Sequence, residues 1–322
     1  MLRKAEKAAS GRGGQNRLGF SGGIKELWSN RLLYGMMIPA IAWVILFCYV
    51  PLYGILIAFK KFSYRLGIWG SPWIGFENFR FLFNYYGIGR VFFNTIFLNV
   101  LFIVTGTFFS VFLALVFVEI KNRTYKRVVQ TIAIFPHFVS WTVVAMFLSG
   151  IIGSTGFLIK FFIELGGKNP SFFSQPKYWP VIFIFLKIWQ GAGYGTIVYV
   201  AAITSFEPEM YEAAKIDGAN KLQQIFFITL PMLKVTVIML TLLGIGKIFN
   251  GDFGMIYAVV GDNTTLFPTT DVVDTFVYRA LRQLNNLGMT TATGLFQSVV
   301  GFILVLVSNK LTKLAEPDAA IF

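Results

Sequence analysis

FFNTIFLNVLFIVTGTFFSVFLALVFV, residues 92–118, decides the fold, because its 27 positions include no charged side chain. As a helix rising 1.5 Å per residue it would measure about 40 Å, more than the roughly 30 Å of a bilayer's hydrocarbon core. The apolarity is continuous, whereas a strand of a membrane barrel alternates with period two. Five more runs of this kind follow or precede it, at 34–58, 129–151, 180–204, 232–250 and 292–309. They predict an all-α, polytopic membrane protein with six transmembrane helices. The first run is too long for the apolar core of a signal peptide and is expected to be a retained span.

The composition agrees. Of 322 residues, 56% are hydrophobic and 13% charged, about half the charged share of a soluble domain. Mean hydropathy is +0.66, while 28 Lys and Arg against 15 Asp and Glu give a net charge of +13. Basic residues placed at the ends and loops of apolar spans account for that combination, and nucleic acid is not needed to explain it. A single cysteine, Cys48, excludes an internal disulfide, and a single histidine, His137, leaves no His/Cys metal site. With the amino terminus cytoplasmic, segments 1–33, 119–128, 205–231 and 310–322 hold 15 Lys and Arg, against 10 in the opposite loops. The positive-inside rule then puts both termini in the cytoplasm, with Lys60 and Lys61 on the disfavoured side. The organisation expected is a tail at 1–33, a membrane domain at 34–309 and a second tail at 310–322.

One inner segment, 205–231, breaks the charge rule: Glu207, Glu209, Glu212 and Asp217 outnumber Lys215 and Lys221. Pro208 suits a first helical turn, Met210, Ala213 and Ala214 share a face, and Gly218 is placed to end the helix in a left-handed conformation. Asn220 and Gln223 have capping-box spacing for a second helix with Leu222, Ile225 and Phe226 on its apolar face. Pro231 marks the return to the membrane. A small-faced acidic helical hairpin suits a groove on another protein; the alternative is a hairpin lying on the lipid surface.

The series Glu212-Ala213-Ala214, three residues, Gly218, nine residues, Ile228, one residue, Leu230-Pro231 resembles the EAA signature of permease subunits in binding-protein-dependent ABC importers. The likeness covers nearly the whole membrane region. It lies with the maltose-type carbohydrate permeases, and within them the polysaccharide branch to which alginate-type importers belong. Residues 135–141, 271–279 and 294–310 match that branch more loosely, and the amino-terminal tail carries no matching motif. The resemblance implies the type I importer permease fold in a bacterial cytoplasmic (inner) membrane. It implies that Glu212, Ala213, Ala214, Asp217 and Gly218 dock on a cytoplasmic ATPase dimer that binds ATP and Mg. It also implies a second homologous permease, an extracytoplasmic solute-binding protein and a glycan substrate moved by alternating access. The sequence has no Gly-x-x-x-x-Gly-Lys-[Ser/Thr] loop, so ATP hydrolysis is expected in a partner subunit and no catalytic residue or cofactor in this chain.

Polar residues inside apolar spans normally face a cavity or a partner. Lys187, Gln190 and Tyr194, at i, i+3 and i+7 of the fourth run, are the expected lining of the substrate path, and a buried cation there favours an anionic glycan such as an oligouronate. Gly191, Gly193 and Gly195 are expected to loosen the same helix; packing is the alternative. His137 follows Pro136 in the third run and reads as a structural residue at a kink. Asn94, Asn99 and Gln297 read as interhelical hydrogen-bond partners, and Lys234 and Lys247 as snorkelling ends of the fifth run. The outer segment 251–291 is expected to hold a short helix near 271–283. Two rival classes are an integral membrane glycan-processing enzyme, which would need clustered carboxylates or a metal site near one interface, and an ion-coupled secondary transporter, which would usually show internal repeats and charged spans.

Overall fold

The computed structural model describes residues 30–84 and 87–320, so most of the expected tail at 1–33 and the last two residues lie outside the described residues. Among these, six helices are long and apolar enough to cross a membrane, and the sole β feature is an isolated bridge between Lys60 and Trp73. The described residues up to Leu56 and those from Ile57 onward form two compact units. In the first, helix α1 (Arg31–Val44) runs on through a π turn, Ile45–Tyr49, into a 3-10 stretch that starts at Val50. Its apolar side chains are exposed, as suits a span surrounded by lipid or other subunits.

The second unit opens with a polar knot. Lys60 is buried, donates to the Ile68 carbonyl at 2.8 Å and lies 5.1 Å from the Trp73 ring. Asn78, on α2 (Glu77–Asn84), donates to the carbonyls of Ala58 and Lys60. Lys60 is thus fixed by folding.

Helix α3 (Ile88–Glu119) contains the opening stretch of the sequence and packs along most of α7 (Trp179–Thr204). Toward the start of both helices, Leu98, Phe102, Trp179, Phe183 and Leu186 form a core with Val144 and Met255. Toward their ends, Ala114, Tyr199, Ile203 and Leu233 form another. Close approach is made possible by glycine: a Cβ at Gly193 would lie 1.9 Å from the Ala133 carbonyl oxygen, and one at Gly195 would lie 2.4 Å from Ser110 Oγ. The expectation that Gly191, Gly193 and Gly195 loosen the helix is therefore corrected, since α7 is unbroken and Gly193 and Gly195 serve packing, while Gly191 faces open space.

The third run, 129–151, is not one helix. It divides into α4 (Arg123–Ile134), a 3-10 turn Phe135–Phe138, and α5 (Trp141–Ile152), with α6 (Phe157–Glu164) beyond a turn at Gly153. Pro136 lacks the amide a continuous helix would need, and Ser140 restarts the helix by capping Val143 N–H. By length and apolarity Trp141–Glu164 is the candidate crossing. Pairing with α7 favours α4, the turn and α5 instead, because Ala133 and Val139 meet Gly193 and Gln190 near the middle of α7.

After α8 (Pro208–Ile216), α9 spans Lys221–Ile245 and carries the fifth run; it begins 11 residues before that run and ends five residues before the run does. The outer segment holds α10 (Phe253–Val260) and α11 (Val273–Leu284), the latter close to the expected helix. Helix α12 (Leu287–Ala315) carries the sixth run into the expected tail at 310–322, where Glu316 pairs with Lys234 of α9. Asn94 donates to the Pro268 and Asp271 carbonyls and so ties its span to the segment 251–291, while Asn99 donates to those of Ile248 and Asn250 and Gln297 to that of Phe249, tying their spans to the end of the fifth run.

Candidate functional site

Two groups of residues carry the chemistry expected of the chain. The first is the hairpin of α8 and the start of α9. Asp217 is the C-cap of α8 and Gly218 adopts φ +83°, a left-handed conformation in which a side chain is strained. Its N–H donates to the Lys215 carbonyl at 3.2 Å and that of Ala219 to the Ala214 carbonyl at 2.8 Å, the paired bonds of a Schellman ending. Asn220 then opens α9 by a reciprocal capping box: its Oδ1 accepts from Gln223 N–H at 2.9 Å, and its own N–H donates to Gln223 Oε1 at 2.7 Å. Tyr211 Oη and Thr229 Oγ1, 3.0 Å apart, join the two arms, and Lys221 pairs with Glu119 at the end of α3 at 3.0 Å.

Glu212, Ala213, Asp217 and Gly218 are exposed around this bend, with Ala214 half-buried. So are large apolar side chains: Ile216 is 86% and Phe227 78% exposed. At the tip of the bend, Ile216 leaves a large apolar side chain without cover.

The second group lies on α7. Lys187 falls about 12 Å along the helix and Gln190 about 17 Å, near its middle. The structure brings all three expected residues onto one face, each with a partner. Lys187 Nζ pairs with Asp252 Oδ2 at 2.5 Å. Gln190 donates to the Val139 carbonyl at 3.1 Å, satisfying backbone freed by the break in the third run. Tyr194 stacks on His137, ring centres 4.0 Å apart. Lys187, Lys247, Asn99, Asn250, Asp252 and Phe253 line one cavity of about 420 Å³. Lys247, expected to snorkel at a helix end, lies two residues beyond the end of α9 and opens to this cavity.

Asp252 is legible in the sequence only as one of the acidic residues of the segment 251–291, where nothing signals a pairing across 65 residues. The same holds for Asp274, whose Oδ2 accepts from Gly251 N–H and from Gln297; burial pushes its carboxyl above the usual range. Capping and spacing, by contrast, were legible for every residue of the hairpin bend.

The family described as "Binding-protein-dependent transport system inner membrane component" matches residues 106–317. The chain belongs to this family. It is a permease of the ABC importer class, not an enzyme, and in such systems ATP hydrolysis belongs to a separate ATPase subunit. The permease is 36% identical over 291 residues to Protein LplB of Bacillus subtilis (strain 168), covering 90% of this chain and 91% of that protein. It is 35% identical to the polygalacturonan/rhamnogalacturonan transport system permease protein YteP of the same organism, covering 89% of each. Among solved structures it resembles a chain of a bacterial alginate ABC transporter in complex with alginate pentasaccharide-bound periplasmic protein. That match has a TM-score of 0.80 and 34% identity, over 90% of this permease and 97% of that chain.

Proposed function

We propose that this permease imports an acidic oligosaccharide or polysaccharide of the uronate type. The observation that carries this reading is Lys187, a cation about 12 Å into the fourth span beside a cavity that Lys247 also lines. Holding cations at that depth is costly and fits a pathway for anions. The named substrates of similar proteins, polygalacturonan and alginate, are polyuronates and support it.

In this reading Lys187, Gln190 and Tyr194 line the substrate path, with Asp252 as the resting counter-ion of Lys187. A uronate carboxylate replaces Asp252 at Lys187 as the glycan passes. On the cytoplasmic side Glu212, Ala213, Ala214, Asp217 and Gly218 seat in a cleft of an ATPase dimer that holds ATP and Mg. Glu212 meets the ATPase surface, the two alanines allow close approach, and Gly218 fixes the angle between the arms. One chain supplies one hairpin and a dimer has two clefts, so a second homologous permease completes the complex. An extracytoplasmic solute-binding protein delivers the glycan, and both termini face the cytoplasm.

The test is uptake into proteoliposomes containing the whole transporter. Lys187→Gln should lower oligogalacturonide uptake about tenfold or more while ATP hydrolysis remains responsive to the loaded binding protein. Equal uptake by wild type and variant, or wild-type preference for a neutral glucan, would defeat the uronate reading.

A further inference from the structure

The outer segment carries a second arrangement of rings. Helices α10 and α11 bury one face each: Met255, Ile256, Val259 and Val260 of the first, Val273 and Phe276 of the second. The other faces meet through residues four apart, hence aligned along each helix. Phe253 and Tyr257 of α10 stack with ring centres 5.1 Å apart at 11°. Tyr278 of α11 lies against both, 5.0 Å from Phe253 and 4.8 Å from Tyr257. Arg282, one turn further along α11, has its guanidinium 5.8 Å from the Tyr278 ring centre and donates to Tyr257 Oη at 3.3 Å. Asp262 accepts from Tyr257 and lies 4.0 Å from Arg282.

The three rings are half-buried and Arg282 is exposed, so the cluster presents aromatic surface and a cation beyond what the core requires. It is continuous with the cavity: Phe253 lines it, and Asp252, the partner of Lys187, caps the first turn of α10 by accepting from Met255 N–H. Lipid is a poor neighbour for such a face, because Arg282, Asp262 and two phenol hydroxyls would all have to be desolvated. Aromatic faces with a cation and hydroxyls at their rims suit a pyranose chain, whose rings offer apolar C–H faces and polar edges.

We infer that Phe253, Tyr257, Tyr278 and Arg282 form a track that receives the glycan at the outer mouth and leads it, ring by ring, to Lys187. The inference rests on the glycan-import reading above and on the orientation proposed there. Tyr257 and Tyr278 supply stacking faces, and Arg282 swings from Asp262 to a sugar carboxylate.

A track touches several sugar units at once, so its loss is felt by long chains more than by short ones. The complete transporter, with its ATPase and binding protein, is reconstituted and uptake is measured for a galacturonate disaccharide and hexasaccharide. Tyr257→Ala with Tyr278→Ala should raise the half-saturating concentration of the hexasaccharide about tenfold and leave the disaccharide within about twofold. The Tyr→Phe pair, which keeps the rings, should restore hexasaccharide uptake. An equal effect on both lengths, or Phe variants as impaired as Ala variants, would overturn the track. Loss of co-purification with the second permease would identify the face as a subunit interface and overturn it too. Wild-type transporter that imports neither glycan would remove the glycan reading itself, and the track with it.

Discussion

Gly218 has the most constrained backbone in the hairpin. A Cβ there would meet nothing within 4 Å, but the residue sits at φ +83°, so substitution is penalised by conformation alone. Gly218→Val should cost roughly 1–2 kcal/mol locally and abolish ATP-coupled uptake while membrane insertion, followed by fractionation, stays normal; full uptake would sink the docking assignment. Tyr211→Phe loses one hydrogen bond between the arms and should lower hairpin stability by about 1 kcal/mol, read as faster amide exchange in α8. Asp274 gives a pH dependence. Its carboxyl is raised by burial, so the folded state favours the protonated form. Its contribution to stability is full below the ordinary carboxylate pKa and is lost as pH rises through the raised one. Both donors reach the same oxygen, which an amide can supply. Melting of Asp274→Asn in detergent should therefore gain on wild type as pH rises above the ordinary carboxylate range, and a difference that does not change with pH would contradict the burial argument.

Helices show where sequence reading succeeds and where it stops. Local rules act within a few residues, and they located the end of α8, the cap of α9 and all six apolar runs. The break at Phe135–Phe138 was visible only as Pro136, because whether a proline kinks or splits a helix depends on what can satisfy the freed carbonyls. Here Gln190, on another element, satisfies Val139. The glycines of α7 were misread for the same reason, since a small residue signals either looseness or close approach until its neighbour is known. The two cases separate by experiment. Gly193→Ala would force Ala133 away and should cost about 2 kcal/mol or more, lowering the melting temperature. Gly191→Ala, with nothing within 4 Å, should be neutral or slightly stabilising; equal effects would refute the packing role.

At the scale of the whole permease, the hairpin bend, legible in the sequence, and the cavity, legible only in part, are joined by one element. The long-range pairs Lys187–Asp252 and Lys221–Glu119 bring together residues 65 and 102 positions apart, beyond the reach of spacing rules. Contact with the ATPase is open to a direct check. With the sole native thiol removed by Cys48→Ser, Ile216→Cys should cross-link to the ATPase of the assembled transporter, more strongly in one nucleotide state than in another; no cross-link in any state would place the tip elsewhere. Helix α9 runs from the capping box at Asn220 into the fifth span as 25 residues, a rod of about 37 Å. Such a rod is a lever: rocking one end by about 10° sweeps the other through about 6 Å, the width of roughly one turn of helix. In the proposed coupling, a modest stroke at the hairpin is carried toward mid-bilayer along this one helix, past the π turn at Ile225–Thr229.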